Sequence, residues 1–157
     1  MTTATVEHQS STTVRTLSII VIVAGIVLIV TGVATWFSVS NQLADENITV
    51  SADAERFAGQ PVDGPLTAYE EAAVINKHAL EATGGLTYAE LDRDDPVRQT
   101  AMTASFLRAS LFTSVVAFGV ALMAAGVGLV LVLIGSALLV MNGGDRFQVV
   151  VEGGEEA

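Results

Sequence analysis

Glu71, His78 and Glu81 are residues of the types that hold metals or move protons. On a helix they share a face at i, i+7 and i+10, so two of them could bridge a cation. A third ligand from a second element is missing. The other histidine, His8, is separated from His78 by a long apolar run. A solvated polar face outweighs a site here. "DRDD" (92–95) has the charge for a divalent cation but neither the glycine nor the distal glutamate of a calcium loop, and reads as a turn plus a helix N-cap. "NIT" (47–49) matches a glycosylation acceptor on very little information. The absence of cysteine removes disulfides and thiolate metal sites. No catalytic, cofactor-binding or metal-binding residue is assigned, no cofactor is expected, and the chain reads as a non-enzyme.

The elements that would position these residues follow from an uneven spread of apolar residues. The 157-residue chain carries a formal charge of −10, and two blocks, Leu17–Phe37 and Ala109–Met141, contain no Asp, Glu, Lys or Arg. Uncharged apolar runs of about 18 residues or more read as transmembrane helices. With no ionisable group in either span, an ion pathway through this chain alone is not expected. The acidic balance and the lack of a basic patch argue against nucleic acid. The first run is too long for a signal-peptide core and has only Arg15 as a basic flank, so it reads as an uncleaved anchor.

The expected fold is an all-α membrane protein: two transmembrane helices in an antiparallel hairpin, a small helical loop domain between them, and a second helix extended beyond the bilayer. The divisions are a disordered tail (1–14), a first span (15–39), an acidic extracytoplasmic loop (40–105), a long helix including the second span (106–141) and an acidic tail (142–157). In that tail "RFQVVVE" could add a strand to a partner's sheet edge. Both termini are then cytoplasmic, although Arg93, Arg98 and Arg108 weaken the positive-inside signal.

Within the loop, Ile48 and Val50 alternate like a short strand with nothing obvious to pair with. "GPLTAYEEAAVINKHALEATGG" (64–85) is a helix, with Pro65 at its start, Thr67 and Glu70 as a capping box, and Gly84–Gly85 as its stop. Glu70, Glu71, Lys77, His78 and Glu81 fall on its polar face, and Ala68, Tyr69, Ala72, Ile75, Ala79 and Leu80 on the other, with Asn76 oddly among the apolar residues. "GGLTYAELDRDDP" holds a second capping box, Thr87 with Glu90, and Asp95–Pro96 opens a helix that nothing interrupts as far as Phe118.

As a helix, 109–141 is about 50 Å long, while the hydrocarbon layer is about 30 Å thick. Arg108 therefore stands outside the bilayer, and the apolar collar around it needs protein cover. The expected contact between loop and stem comprises Tyr69, Ala72, Ile75, Leu80, Phe106, Leu111 and Phe112. Small residues every seven positions, Ser18, Gly25 and Gly32 in one span and Ser114, Ala121, Gly128 and Gly135 in the other, make a seam for close helix packing.

"NQLADENITVSADAERFAGQPVDGPLTAY", "GLTYAELDRDDPVR" and "ASFLRASLFTSVVAFGVA" resemble a group of small actinobacterial two-span membrane proteins of unknown function, over most of 14–139. Some of that group carry an aromatic ring-opening dioxygenase label. The label implies a non-haem iron site of two histidines and a carboxylate. His8 and His78, with the whole first span between them, do not supply one.

The function expected is that of an accessory or structural subunit of the cell envelope. It presents its loop domain to a membrane protein partner or to another copy, with the lipid bilayer as its other partner. The alternative is a sensor whose acidic loop binds an ion or small ligand.

Overall fold

The computed structural model describes residues 10–143. They form three helices: α1 (Ser10–Asp45), α2 (Pro65–Ala82) and α3 (Arg98–Gly143). The described residues contain no strand, and the fold is an all-α hairpin. The disordered-tail reading of 1–9, His8 and "RFQVVVE" lie outside the described residues.

The helix limits differ from the sequence expectation at both ends of α1. It starts at Ser10, inside the stretch read as a tail, and continues past 39 to Asp45. The extension places Leu43, 7% exposed, in a hydrophobic core. α3 begins at Arg98, so 98–105 belongs to the long helix rather than to the loop. Asp95, expected to cap the helix start, instead lies three residues before Arg98, its carboxylate accepting the Val97 N–H at 2.9 Å in the turn that leads into α3.

The chain divides into two units, one made of residues up to Val30 and from Ala125 onward, the other of Thr31–Ala124. In the first, α1 and α3 run antiparallel on glycine contacts. A Cβ built on Gly25 would lie 2.6 Å from the Gly128 carbonyl oxygen, and one on Gly128 would lie 2.5 Å from the Gly25 oxygen. One on Gly135 would meet the Ile22 side chain and the Ser18 carbonyl. Only a residue without a side chain permits that approach. Ser18 is fully buried and satisfied locally, donating to the Val14 carbonyl at 2.8 Å. Burial at Ser18 and Gly25, and at Gly128 and Gly135, recurs every seven residues, the period that keeps one stripe of a helix facing its neighbour.

In the second unit, Gly32 and Ala121 are buried and Ser114 is half-buried. Trp36 packs edge-on against Phe118 with ring centroids 4.7 Å apart. Around that pair a core forms from Leu43, Val50, Val62, Ala68, Ala72 and Leu111. It draws on α1, α2, α3 and the loop before α2.

That loop supplies the partner the Ile48–Val50 alternation lacked. Thr49 and Pro61 form an antiparallel bridge. Val62 N–H donates to the Ile48 carbonyl at 2.9 Å and Val50 N–H to the Gln60 carbonyl at 2.8 Å. Val50 and Val62 are 1% and 0% exposed. Pro61 hid the pairing, because proline has no N–H and weakens any strand reading. The return turn holds Phe57 at φ +61°, where a bulky residue is rare, with its ring against the core.

α2 starts at Pro65 with Gly64 as N-cap. The capping roles shift by three residues from those expected. Thr67 sits at the third helical position and accepts the Gly64 N–H at 3.3 Å, leaving Glu70 free for another use. Gly84 and Gly85, at φ +65° and +92°, end the helix, with Gly85 N–H donating to the Leu80 carbonyl at 2.7 Å. The Thr87–Glu90 box forms, Glu90 accepting Thr87 N–H at 2.8 Å and its hydroxyl at 2.7 Å, but a turn follows rather than a helix. Those bonds hold the Glu90 carboxyl below its ordinary range.

Candidate functional site

The carboxylates of α2 do not form one polar face. Glu70 and Glu71 are buried, 8% and 7% exposed, whereas Tyr69 is 53% exposed. The reason is that α2 is covered on two flanks, by α1 and α3 at Ala68 and Ala72 and by the 48–62 loop at Glu70 and Glu71. An amphipathic wheel assumes a single covered side and assigns both glutamates to water.

Each glutamate does local structural work on that loop. Glu71 accepts the Ser51 N–H at 2.7 Å and the Ser51 hydroxyl at 3.1 Å. Glu70 accepts the Arg56 N–H at 3.3 Å, and the exposed Arg56 guanidinium lies 4.0 Å away. Outside them, Asp53 accepts from Lys77 Nζ at 3.0 Å and lies 2.9 Å from His78 Nε2. His78 thus faces a carboxylate from the loop and not Glu71 or Glu81. Among the described residues no group of three or more His, Asp or Glu side chains could hold a metal.

Hydrogen bonds from His78 and then Lys77 lower the Asp53 pKa from 3.8 to about 2. Its folded value lies below its unfolded one, so the contact contributes fully above the unfolded value and is lost as pH falls through the folded one. The urea midpoint of the domain, read at Trp36, is therefore expected to drop between about pH 3.8 and about 2. Asp53→Asn should flatten that drop; equal slopes would show that the contact of Asp53 with His78 and Lys77 contributes nothing to it. The Lys77 side of the contact, whose pKa is raised chiefly by its bond to Asp53, weakens only as pH rises past the lysine range.

The expected loop-to-stem residues occupy different environments. Leu111 and Ala72 are buried and Ile75 and Leu80 half-buried. Tyr69 meets the Phe112 ring edge-on at 5.9 Å, while Phe106 is 67% exposed. Asn76 lines a cavity of about 40 Å³ with Thr87, Ser105 and Arg108. The Arg108 guanidinium lies 5.9 Å from the Phe112 ring centre. Arg98 stacks on Tyr88 at 4.2 Å and donates to the Leu91 carbonyl, which ties the 83–97 loop to α3.

An open groove of about 520 Å³ lies between α2 and α3. Ile75, Ala79 and Ala82 form one wall and Thr100, Ala104 and Leu107 the other, with His78 at the rim. Small residues at three- and four-residue spacing on both walls leave room for a third element. No signal in the sequence singled this groove out, because it depends on the angle at which α2 meets α3.

Fold and groove together define a class: a helical hairpin carrying a small domain with a surface cleft. No protein-family model, curated protein or solved structure matches the chain.

α1 and α3 are both long and apolar enough to cross a membrane. Outside the seam their large apolar side chains are exposed, among them Leu17, Ile20, Val23 and Val30 on α1 and Val127, Leu133 and Val140 on α3. An apolar surface of that extent is a liability in water.

Proposed function

We propose that the protein is a non-enzymatic, two-span membrane subunit of the cell envelope. Its small domain sits on the extracytoplasmic side, with both termini cytoplasmic, and presents the α2–α3 groove to a helix of a partner protein. The exposed apolar surface of α1 and α3 supports the membrane reading. The groove carries the docking reading, since a cleft floored by alanine and threonine on two helices suits an apolar helix face. The acidic balance of the chain favours a partner helix with basic flanks.

A photo-crosslinking residue at Thr103, on the groove, tests this in native membranes against one at exposed Ala73. A single co-purifying protein joined at Thr103 and not at Ala73 is the expected result. Adducts to a second copy alone would make the groove a homotypic contact. Equal labelling at the two positions would count against any groove partner.

A further inference from the structure

We propose that the first turn of α2 is a lipid-contacting element: Leu66 and Tyr69, together with Phe112 of α3, seat the small domain in the headgroup layer of the bilayer. This rests on α1 and α3 crossing the membrane. Leu66 is 67% exposed, Tyr69 53% and Phe112 36%. Leu66 and Tyr69 are three apart on one helix face, and the Tyr69 ring touches Phe112. The three side chains therefore form one apolar patch rather than scattered exposures.

The patch is continuous with the span below it. Down α3 from Phe112, Val116, Val120 and Met123 follow at three- and four-residue spacing, 64%, 53% and 62% exposed. Its height also fits. Trp36 and Phe118, in ring contact, mark where the apolar run of α1 ends. Phe112 lies about 9 Å further along α3. Ser40, about 6 Å beyond Trp36 along α1, donates its hydroxyl to the Asp63 carbonyl at 2.6 Å and so fixes the entry to α2 at that level. The headgroup layer adds about 5–8 Å to each side of the hydrocarbon, so the level of Ser40 falls within it and that of Phe112 at its outer edge. Tyrosine is a residue of that layer, with its ring among the acyl ends and its hydroxyl in water.

Charge on the patch fits the same occupant. The first turn of α2 carries no acidic residue. The next two positions, Glu70 and Glu71, turn inward to the loop. Asp63 precedes it in the chain, no Lys or Arg occurs in 63–69 or 112–123, and the nearest cation shown is the half-buried Arg108, whose guanidinium lies 5.9 Å from the Phe112 ring centre. The exposed surface of Leu66, Tyr69 and Phe112 is itself uncharged, and neutral lipid suffices for the contact. Its consequence is a fixed stance for the domain. Leu107, at the near end of the groove, stands about 16 Å along α3 from Phe118, clear of the headgroups. The groove then faces water, and its occupant is an aqueous segment rather than a membrane span.

The chain has no cysteine, so single substitutions give clean labelling sites. Spin labels at Leu66→Cys, Tyr69→Cys, Ala73→Cys, Thr103→Cys, Val120→Cys and Met123→Cys would be placed in the full chain, reconstituted in phosphatidylcholine vesicles. Collisions with oxygen and with a water-soluble nickel chelate report depth. Nickel access at 66 and 69 is expected to be several-fold below that at 73 and 103 and above that at 120 and 123. Adding anionic phosphatidylglycerol should leave the values unchanged. If 66 and 69 match 73 while 120 and 123 stay protected, the domain stands clear of the lipid, and the patch belongs to a protein partner. Free nickel access at 120 and 123 would overturn the membrane-spanning reading itself, and this proposal with it.

Discussion

Gly128→Ala is expected to destabilise the α1–α3 pair by about 1–3 kcal/mol, the usual cost of forcing a methyl into a packed contact. Gly126→Ala, two residues away, should change stability by less than about 1 kcal/mol and in the favourable direction, since alanine is the better helix former. The contrast follows from what each new Cβ would meet. At Gly128 it lies 2.5 Å from a backbone oxygen and 2.9 Å from Ile29, and at Gly126 it meets nothing within 4 Å. Backbone cannot rotate aside as a side-chain tip can, so the helices must separate along the seam. Gly25→Ala should repeat the loss, with 2.6 Å to the Gly128 oxygen, and Gly119→Ala should repeat the neutral result. Energy transfer between dyes at Thr12→Cys and Met141→Cys, followed through an SDS titration, reads the separation. Equal midpoints for the 126 and 128 variants would sink the seam.

Glu71→Ala should be the most damaging substitution of a charged residue in the domain. It leaves the Ser51 N–H, now bonded at 2.7 Å to a carboxylate that is itself 7% exposed, without that acceptor. An abandoned buried donor costs about 1–3 kcal/mol. Glu71→Gln keeps one acceptor oxygen and should fall between. Glu81→Ala, at an exposed position, should stay within about 0.5 kcal/mol of the parent. Trp36, the single tryptophan, sits against the core and reports the urea midpoint of each. If the 71 and 81 variants were equally mild, the carboxylate would not be holding the loop. Glu70→Ala should cost less than Glu71→Ala. Its bond to the Arg56 N–H is long at 3.3 Å, and its 4.0 Å ion pair is with an exposed side chain, where such pairs contribute little.

The large features were legible because they follow from periodicity and length along one segment. Uncharged runs announced α1 and α3, and small residues every seven positions placed Gly25, Gly128 and Gly135 on the helix contact before any geometry was known. Pro65 and Gly84–Gly85 marked helix ends, because capping is chemistry between neighbours in sequence. What the chain does to α2 was not legible. Whether Glu71 meets water or a backbone N–H depends on a loop some twenty residues away folding back through the Thr49–Pro61 bridge, and Pro61 masks that bridge. His78 likewise finds Asp53 rather than its own helix neighbours, and the groove and the Leu66–Tyr69–Phe112 patch depend on how α2 lies against α3. Local patterns record which side chains share a face. Only tertiary packing decides how many of a helix's faces are covered, and by what.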